Sequence, residues 1–99
     1  MPHLTLTPSF GRGITRCRLF LAQRNAAAAD RARDVISMAV RRLEANPAVG
    51  RPYRKDPALR ELVIPFGKAD YLALYRHDPD KDAVVLLGFR HQREADYGD

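Results

Sequence analysis

"AVVLLGF", Ala83 to Phe89, is a run of seven residues without one polar side chain. It is too short for a buried helix and is rich in valine and leucine. It is preceded by "DPDKD" (Asp78–Asp82), a cluster of turn formers, and followed at once by the polar "RHQREADY" (Arg90–Tyr97). A run of this length and bounding reads as an interior strand covered on both faces.

Working back from that strand, "YLALYRH" (Tyr71–His77) is a second strand, joined to it through the Asp78–Asp82 turn. "LRELVIPF" (Leu59–Phe66) alternates Leu62, Ile64 and Phe66 against Glu61, Val63 and Pro65, and "GKAD" turns it into Tyr71. Pro65 favours an edge or a strand end, since it has no donor for a ladder. These three strands predict an antiparallel meander over residues 59–91. "RPYRKDPA" (Arg51–Ala58), with two prolines, reads as a basic connector.

Upstream the period changes from two to that of a helix. Ala28, Ala32, Val35, Ile36, Ala39, Val40 and Leu43 form one stripe, which "ANPAVGRP" (Ala45–Pro52) terminates. Before it, Phe10, Ile14, Cys17 and Leu21 step by four, three and four along a first helix, for which Ser9 is a plausible N-cap. "HLTLTP" (His3–Pro8) alternates as a short strand. The order is β-α-α-β-β-β, an α+β fold. A helical hairpin (9–45) packs on a mainly antiparallel four-stranded sheet built from strand 3–7 and the meander. A polar tail (92–99) closes one domain spanning residues 1–99.

Ninety-nine residues support one hydrophobic core. No apolar stretch approaches the length of a membrane span. The lone cysteine, Cys17, cannot form an internal disulfide and fits a reducing cytoplasm. It sits on the apolar helix face, so it reads as core. One cysteine and three scattered histidines (His3, His77, His91) make a metal site improbable, and nothing calls for a cofactor. The net charge is +5, and fourteen of the seventeen basic residues are arginine. All of the excess lies in residues 1–50, which hold eight Arg and three acids. Such a basic half suggests a nucleic acid or an acidic protein partner.

The series "P-x-x-G-R-P" (Pro47–Pro52), "L-R-E-L" (Leu59–Leu62), "Y-L-A-L-Y-R" (Tyr71–Arg76) and "V-V-L-L-G-F-R-H-Q-R-E" (Val84–Glu94) resembles the RelE/ParE superfamily of type II toxins over residues 3 to 97. The resemblance implies a small cytoplasmic toxin that arrests growth. It also implies neutralisation by a cognate antitoxin, acidic or amphipathic and encoded by an adjacent gene, in a toxin–antitoxin hetero-oligomer. RelE-like members cut mRNA on the ribosome, whereas ParE-like members block DNA gyrase.

RNA cleavage requires a group to activate the ribose hydroxyl, a proton donor for the leaving oxygen, and cations for the phosphate. Tyr97 stands where the family tyrosine would, and His91 near the family arginine before it. His91, Arg93 and Tyr97 are therefore the candidate catalytic set if the chain is a nuclease. RelE-like toxins also carry cations on the inner strands, and here "ELVIPF" has none while Leu72 follows Tyr71. That departure and the quoted motifs favour a ParE-like gyrase inhibitor, with a RelE-like endoribonuclease as the alternative. Arg51, Arg54, Lys55, Arg60, Arg76 and Arg90 are candidates for contact with the target or antitoxin. Tyr71 and Tyr75 share a strand face that either packs on the hairpin or receives a partner.

Overall fold

A computed structural model describes residues 1–98. The elements are β1 (His3–Leu6), α1 (Pro8–Ala22), α2 (Ala26–Ala45), β2 (Arg51–Tyr53), β3 (Asp56–Phe66), β4 (Ala69–Asp78) and β5 (Ala83–His91). The fold is α+β, with a five-stranded sheet in the order β1-β5-β4-β3-β2. β1 runs parallel to β5, and every other pairing is antiparallel. The N-terminal strand thus joins the sheet at its outer edge, and β5 is interior.

The fifth strand comes from the segment expected to be a connector. Arg51 and Pro52 pair with Glu61 and Arg60, and the chain turns back between Tyr53 and Asp56. Pro52 does not prevent this, because β2 is an edge strand with no ladder on its outer side, and Pro57 lies in β3 before its ladder with β4 begins at Arg60. The first helix also starts earlier than Ser9. Thr7 is its N-cap, with Oγ1 accepting from the Phe10 amide at 3.3 Å and donating to the Leu86 carbonyl at 2.8 Å. Pro8 follows at the position where a missing amide costs nothing. Asn25 caps α2 in the same manner, accepting from the Ala28 amide at 3.0 Å.

The hairpin covers one face of the sheet. Phe10, Ala32, Ile36 and Leu43 meet Leu62, Ile64, Ala73, Val84, Leu86 and Phe89 there. Tyr71 stacks on Phe89 with centroids 5.3 Å apart, and Phe10 meets Phe89 edge-on at 5.9 Å. The other face is open except where the C-terminal segment returns across it.

The apolar run 83–89 does not follow simple alternation because the register slips. Leu74 pairs with Gly88 but Tyr75 pairs with Leu86, leaving Leu87 unopposed. One extra residue reverses the alternation beyond it. Val84, Leu86 and Phe89 therefore all enter the helix-side core, while Leu87 joins the smaller cluster on the open face.

Two glycines on α1 differ in their surroundings. A Cβ on Gly13 would overlap the Phe89 carbonyl oxygen, so the helix lies against β5 at its closest there. Gly11 has nothing within 4 Å of the same added atom. Helix propensity alone favours alanine over glycine by about 1 kcal/mol. Gly11→Ala is expected to raise unfolding free energy by up to that amount, whereas Gly13→Ala lowers it by about 1–3 kcal/mol through overpacking. Urea denaturation of the two variants beside the parent checks the pair.

Candidate functional site

The segment after β5 crosses from one face of the sheet to the other. Glu94 anchors it on the helix side. Its carboxylate accepts from Arg16 Nε at 2.9 Å, from the His91 amide at 3.0 Å and from the Cys17 thiol at 3.5 Å. The same Arg16 donates to the Phe89 carbonyl at 3.1 Å, closing a part of the β5 edge that β1 does not reach. Burial raises the Cys17 thiol first, and the neighbouring Glu94 carboxylate adds to it, pushing it up to about 12. The thiol therefore stays protonated, a core group and a poor nucleophile.

Tyr97 anchors the segment on the open face. It is 9% exposed and packs with Leu72 and Leu74, against which Tyr53, Leu59 and Leu87 also lie. Gly88 leaves the space for its ring, since a Cβ there would come within 2.9 Å of it. Tyr53 meets the ring edge-on at 5.9 Å, and the Arg90 guanidinium lies 5.1 Å from its centroid. The hydroxyl donates to Glu61, which is itself only 6% exposed and also accepts from Arg51 Nε and Nη2, both at 3.3 Å. Burial, then the Glu61 carboxylate, holds the Tyr97 hydroxyl well above the ordinary tyrosine range. It is a donor at any working pH.

The three residues expected to form a nuclease site are not brought together. His91 lies opposite Tyr71 in the register and meets its ring edge-on at 5.4 Å, on the helix side. Its Nδ1 accepts from the Arg93 amide at 3.0 Å, and the Arg93 side chain is exposed. Tyr97 is on the opposite face. What does meet Tyr97 is Glu61, with Arg51 and Arg90. Sequence reasoning placed Glu61 among the solvent-facing residues of its strand, because its cover comes from thirty-six positions away. Its place in "L-R-E-L", one of the segments carrying the resemblance, is the only sign it gives in the sequence.

Of the six candidate binding cations, four have internal partners. Arg51 is held by Glu61, and Arg76 reaches Asp78 at 3.5 Å. Arg60 donates to the Gly50 carbonyl at 2.7 Å and to the Ala48 carbonyl at 3.3 Å. Arg90 Nη1 donates to the carbonyls of His91, Gln92 and Glu94. Arg54 and Lys55 stand exposed at the tip between β2 and β3. Tyr75 is fully buried, with its hydroxyl accepting from the Gly50 amide at 2.8 Å and donating to the Pro47 carbonyl at 2.7 Å. "P-x-x-G-R-P" is therefore a packed connection. Its Gly50 is required because a Cβ would lie 2.7 Å from Tyr75 and from the Glu61 carbonyl. Tyr71 is likewise packed inward on the hairpin side. Among the described residues no group of three or more His, Cys, Asp or Glu could hold a metal ion. No described helix is long and apolar enough to cross a membrane.

A helical hairpin lies on one face of a mostly antiparallel sheet, a tyrosine-bearing tail crosses the other, and similarity to known proteins places the chain in the RelE/ParE superfamily of type II toxins. Residues 4–96 match the family model described as ParE toxin of type II toxin–antitoxin system, parDE. The chain is 38% identical over 94 residues to Toxin RelE3 of Caulobacter vibrioides, a match covering 95% of this chain and 98% of that protein. The chain belongs to the ParE toxin family of type II toxin–antitoxin systems.

Glu94 supplies a pH test of the anchor. Burial by itself would raise its carboxyl, but the His91 amide, Arg16 and the Cys17 thiol outweigh it and the net shift is downward. A carboxyl lowered in the folded state stabilises above its unfolded value and ceases to do so as pH falls through the folded value. Stability should therefore decline on acidification below the ordinary glutamate range, and less steeply in Glu94→Gln. Thermal melts across that range measure it.

Proposed function

We propose that this protein is a ParE-like toxin that arrests growth by binding and poisoning DNA gyrase in the cytoplasm, and that a cognate acidic antitoxin holds it inactive. The observation that carries the reading is the separation of His91 and Tyr97 on opposite faces of the sheet. An imidazole and a phenol so placed cannot serve one scissile phosphate as base and acid. In this reading the toxin acts by occupying its target. Induction of the protein alone is expected to stop growth and to abolish gyrase supercoiling in the extract. Growth arrest with supercoiling intact would overturn the gyrase reading.

A second reading has its own support. Glu61, Arg51, Arg90 and Tyr97 gather a carboxylate, two guanidiniums and a phenol on the open face. Those are the group types that phosphodiester cleavage requires, and the relative from Caulobacter carries a RelE name. New mRNA 5′ ends by primer extension after induction, lost in Glu61→Gln, would favour an endoribonuclease over the gyrase reading.

The antitoxin's landing site in this proposal is a groove of about 330 Å³ beside β1, floored by Leu4, Phe10, Ile14, Ile36 and Val40. Leu6, 60% exposed, stands at its edge, and Arg33 and Arg41 of α2 border it. β1 is the outermost strand, so an extended peptide can add to it while apolar side chains fill the groove. The arginines select an acidic segment. Leu6→Glu places a like charge in the path of that segment and is expected to weaken antitoxin binding by about tenfold or more. Titration of purified antitoxin against both proteins at several salt concentrations checks this. Affinity insensitive to salt would contradict the electrostatic part.

A further inference from the structure

We propose that residues 92–98 are a displaceable latch, closed by Tyr97 on Glu61, which covers a polar site on the open face of the sheet. The segment contains no helix or strand beyond the end of β5. Three side chains pin it: Glu94 to Arg16 on the helix side, Tyr97 to Glu61 on the open face, and Gln92, whose Oε1 accepts from the exposed Asp70 amide at 3.2 Å. The first is an ion pair whose side chains are 42% and 34% exposed, and it holds weakly for that reason. The second is the buried one: the Tyr97 ring packs on Leu72 and Leu74, and its hydroxyl donates to Glu61.

Closure also leaves a donor unsatisfied. Arg90 Nη1 is taken up by the His91 carbonyl at the end of β5 and by the Gln92 and Glu94 carbonyls of the latch, while its Nε is buried without a hydrogen-bond partner. Such a donor works against the closed state. Lifting the latch releases Arg90 from the Gln92 and Glu94 carbonyls, uncovers Glu61 beside Arg51, and exposes Leu72 and Leu74 beneath Tyr97. The surface revealed combines an acid, two guanidiniums and an apolar floor. It becomes available only on opening, whichever target the toxin takes.

Amide exchange on the full-length protein tests the latch. The Gln92 amide donates to the Asp70 carbonyl and the Glu94 amide to that of His91, so both report closure. In the parent, these two should exchange through a local opening that is insensitive to low denaturant, while β4 amides exchange through global unfolding. Tyr97→Phe keeps the ring over Gly88 and removes only the hydroxyl. It should speed the two latch amides by about ten- to a hundredfold, the equivalent of one hydrogen bond to a charged acceptor, and leave β4 unchanged. Latch amides that follow the denaturant dependence of β4 in the parent, or that are unaltered in Tyr97→Phe, would overturn the proposal. If Tyr97→Phe accelerates every amide together, the denaturant series on the parent decides by itself. These readouts need no target. Absence of growth arrest on induction would count against the toxin reading and would leave the exchange result standing.

Discussion

The slip of one residue between β4 and β5 governs the functional half of the molecule. Leu87 has no partner across the ladder, so side chains after it change sides relative to those before it. Phe89 then completes the core with Val84 and Leu86, and His91 follows it to the helix side. Gly88 and Arg90 fall on the open face, where Tyr97 covers the first and meets the guanidinium of the second. In a regular ladder Phe89 would point away from the hairpin and His91 would share a face with Tyr97. The same side chains would then make a quite different site.

That strand has to be held on both edges, and β1 is too short to do so. It pairs with Ala83 to Leu86 and stops. Thr7 continues the closure at the Leu86 carbonyl, and Arg16 continues it at the Phe89 carbonyl, both from the start and middle of α1. The close approach at Gly13 is what lets a helix stand in for a missing strand. Arg16 also binds Glu94, so the packing of α1 and the position of the tail are one arrangement.

Much of this was legible in the sequence and some of it was not, for physical reasons. The hairpin showed itself through two long apolar stripes, and the meander through alternation interrupted by turn residues. β2 was hidden because Pro52 and Pro57 read as loop; Pro52 is tolerated in the edge strand β2, and Pro57 in the stretch of β3 that precedes its ladder with β4. The nuclease candidates came from the resemblance, which sets His91 and Tyr97 where RelE-like toxins carry an arginine and a tyrosine. A bulge, which leaves no mark on a run of valines and leucines, decides which of them can meet. Glu61 was passed over because alternation reports a strand's own two faces and says nothing of a distant segment that later covers one of them. The cations around the connector appeared as a binding cluster, yet Arg60 and Arg51 are spent on the Gly50 carbonyl and on Glu61.

The distribution of charge fits a toxin that meets its partners on separate surfaces. The sheet half is neutral in sum, and several of its cations are engaged by carbonyls or carboxylates of the same half. The unbalanced charge lies on the hairpin half, at +5, beside a groove and an outer strand. On the proposed reading, an acidic antitoxin is drawn to that side by long-range attraction and held there by apolar contact. The open face, in contrast, offers a buried acid held by Arg51, closed over by a tyrosine whose ring meets the Arg90 guanidinium. Such a surface discriminates by shape and hydrogen bonding more than by net charge. One fold can therefore carry a neutralising interface and a target interface without forcing them to compete for the same residues.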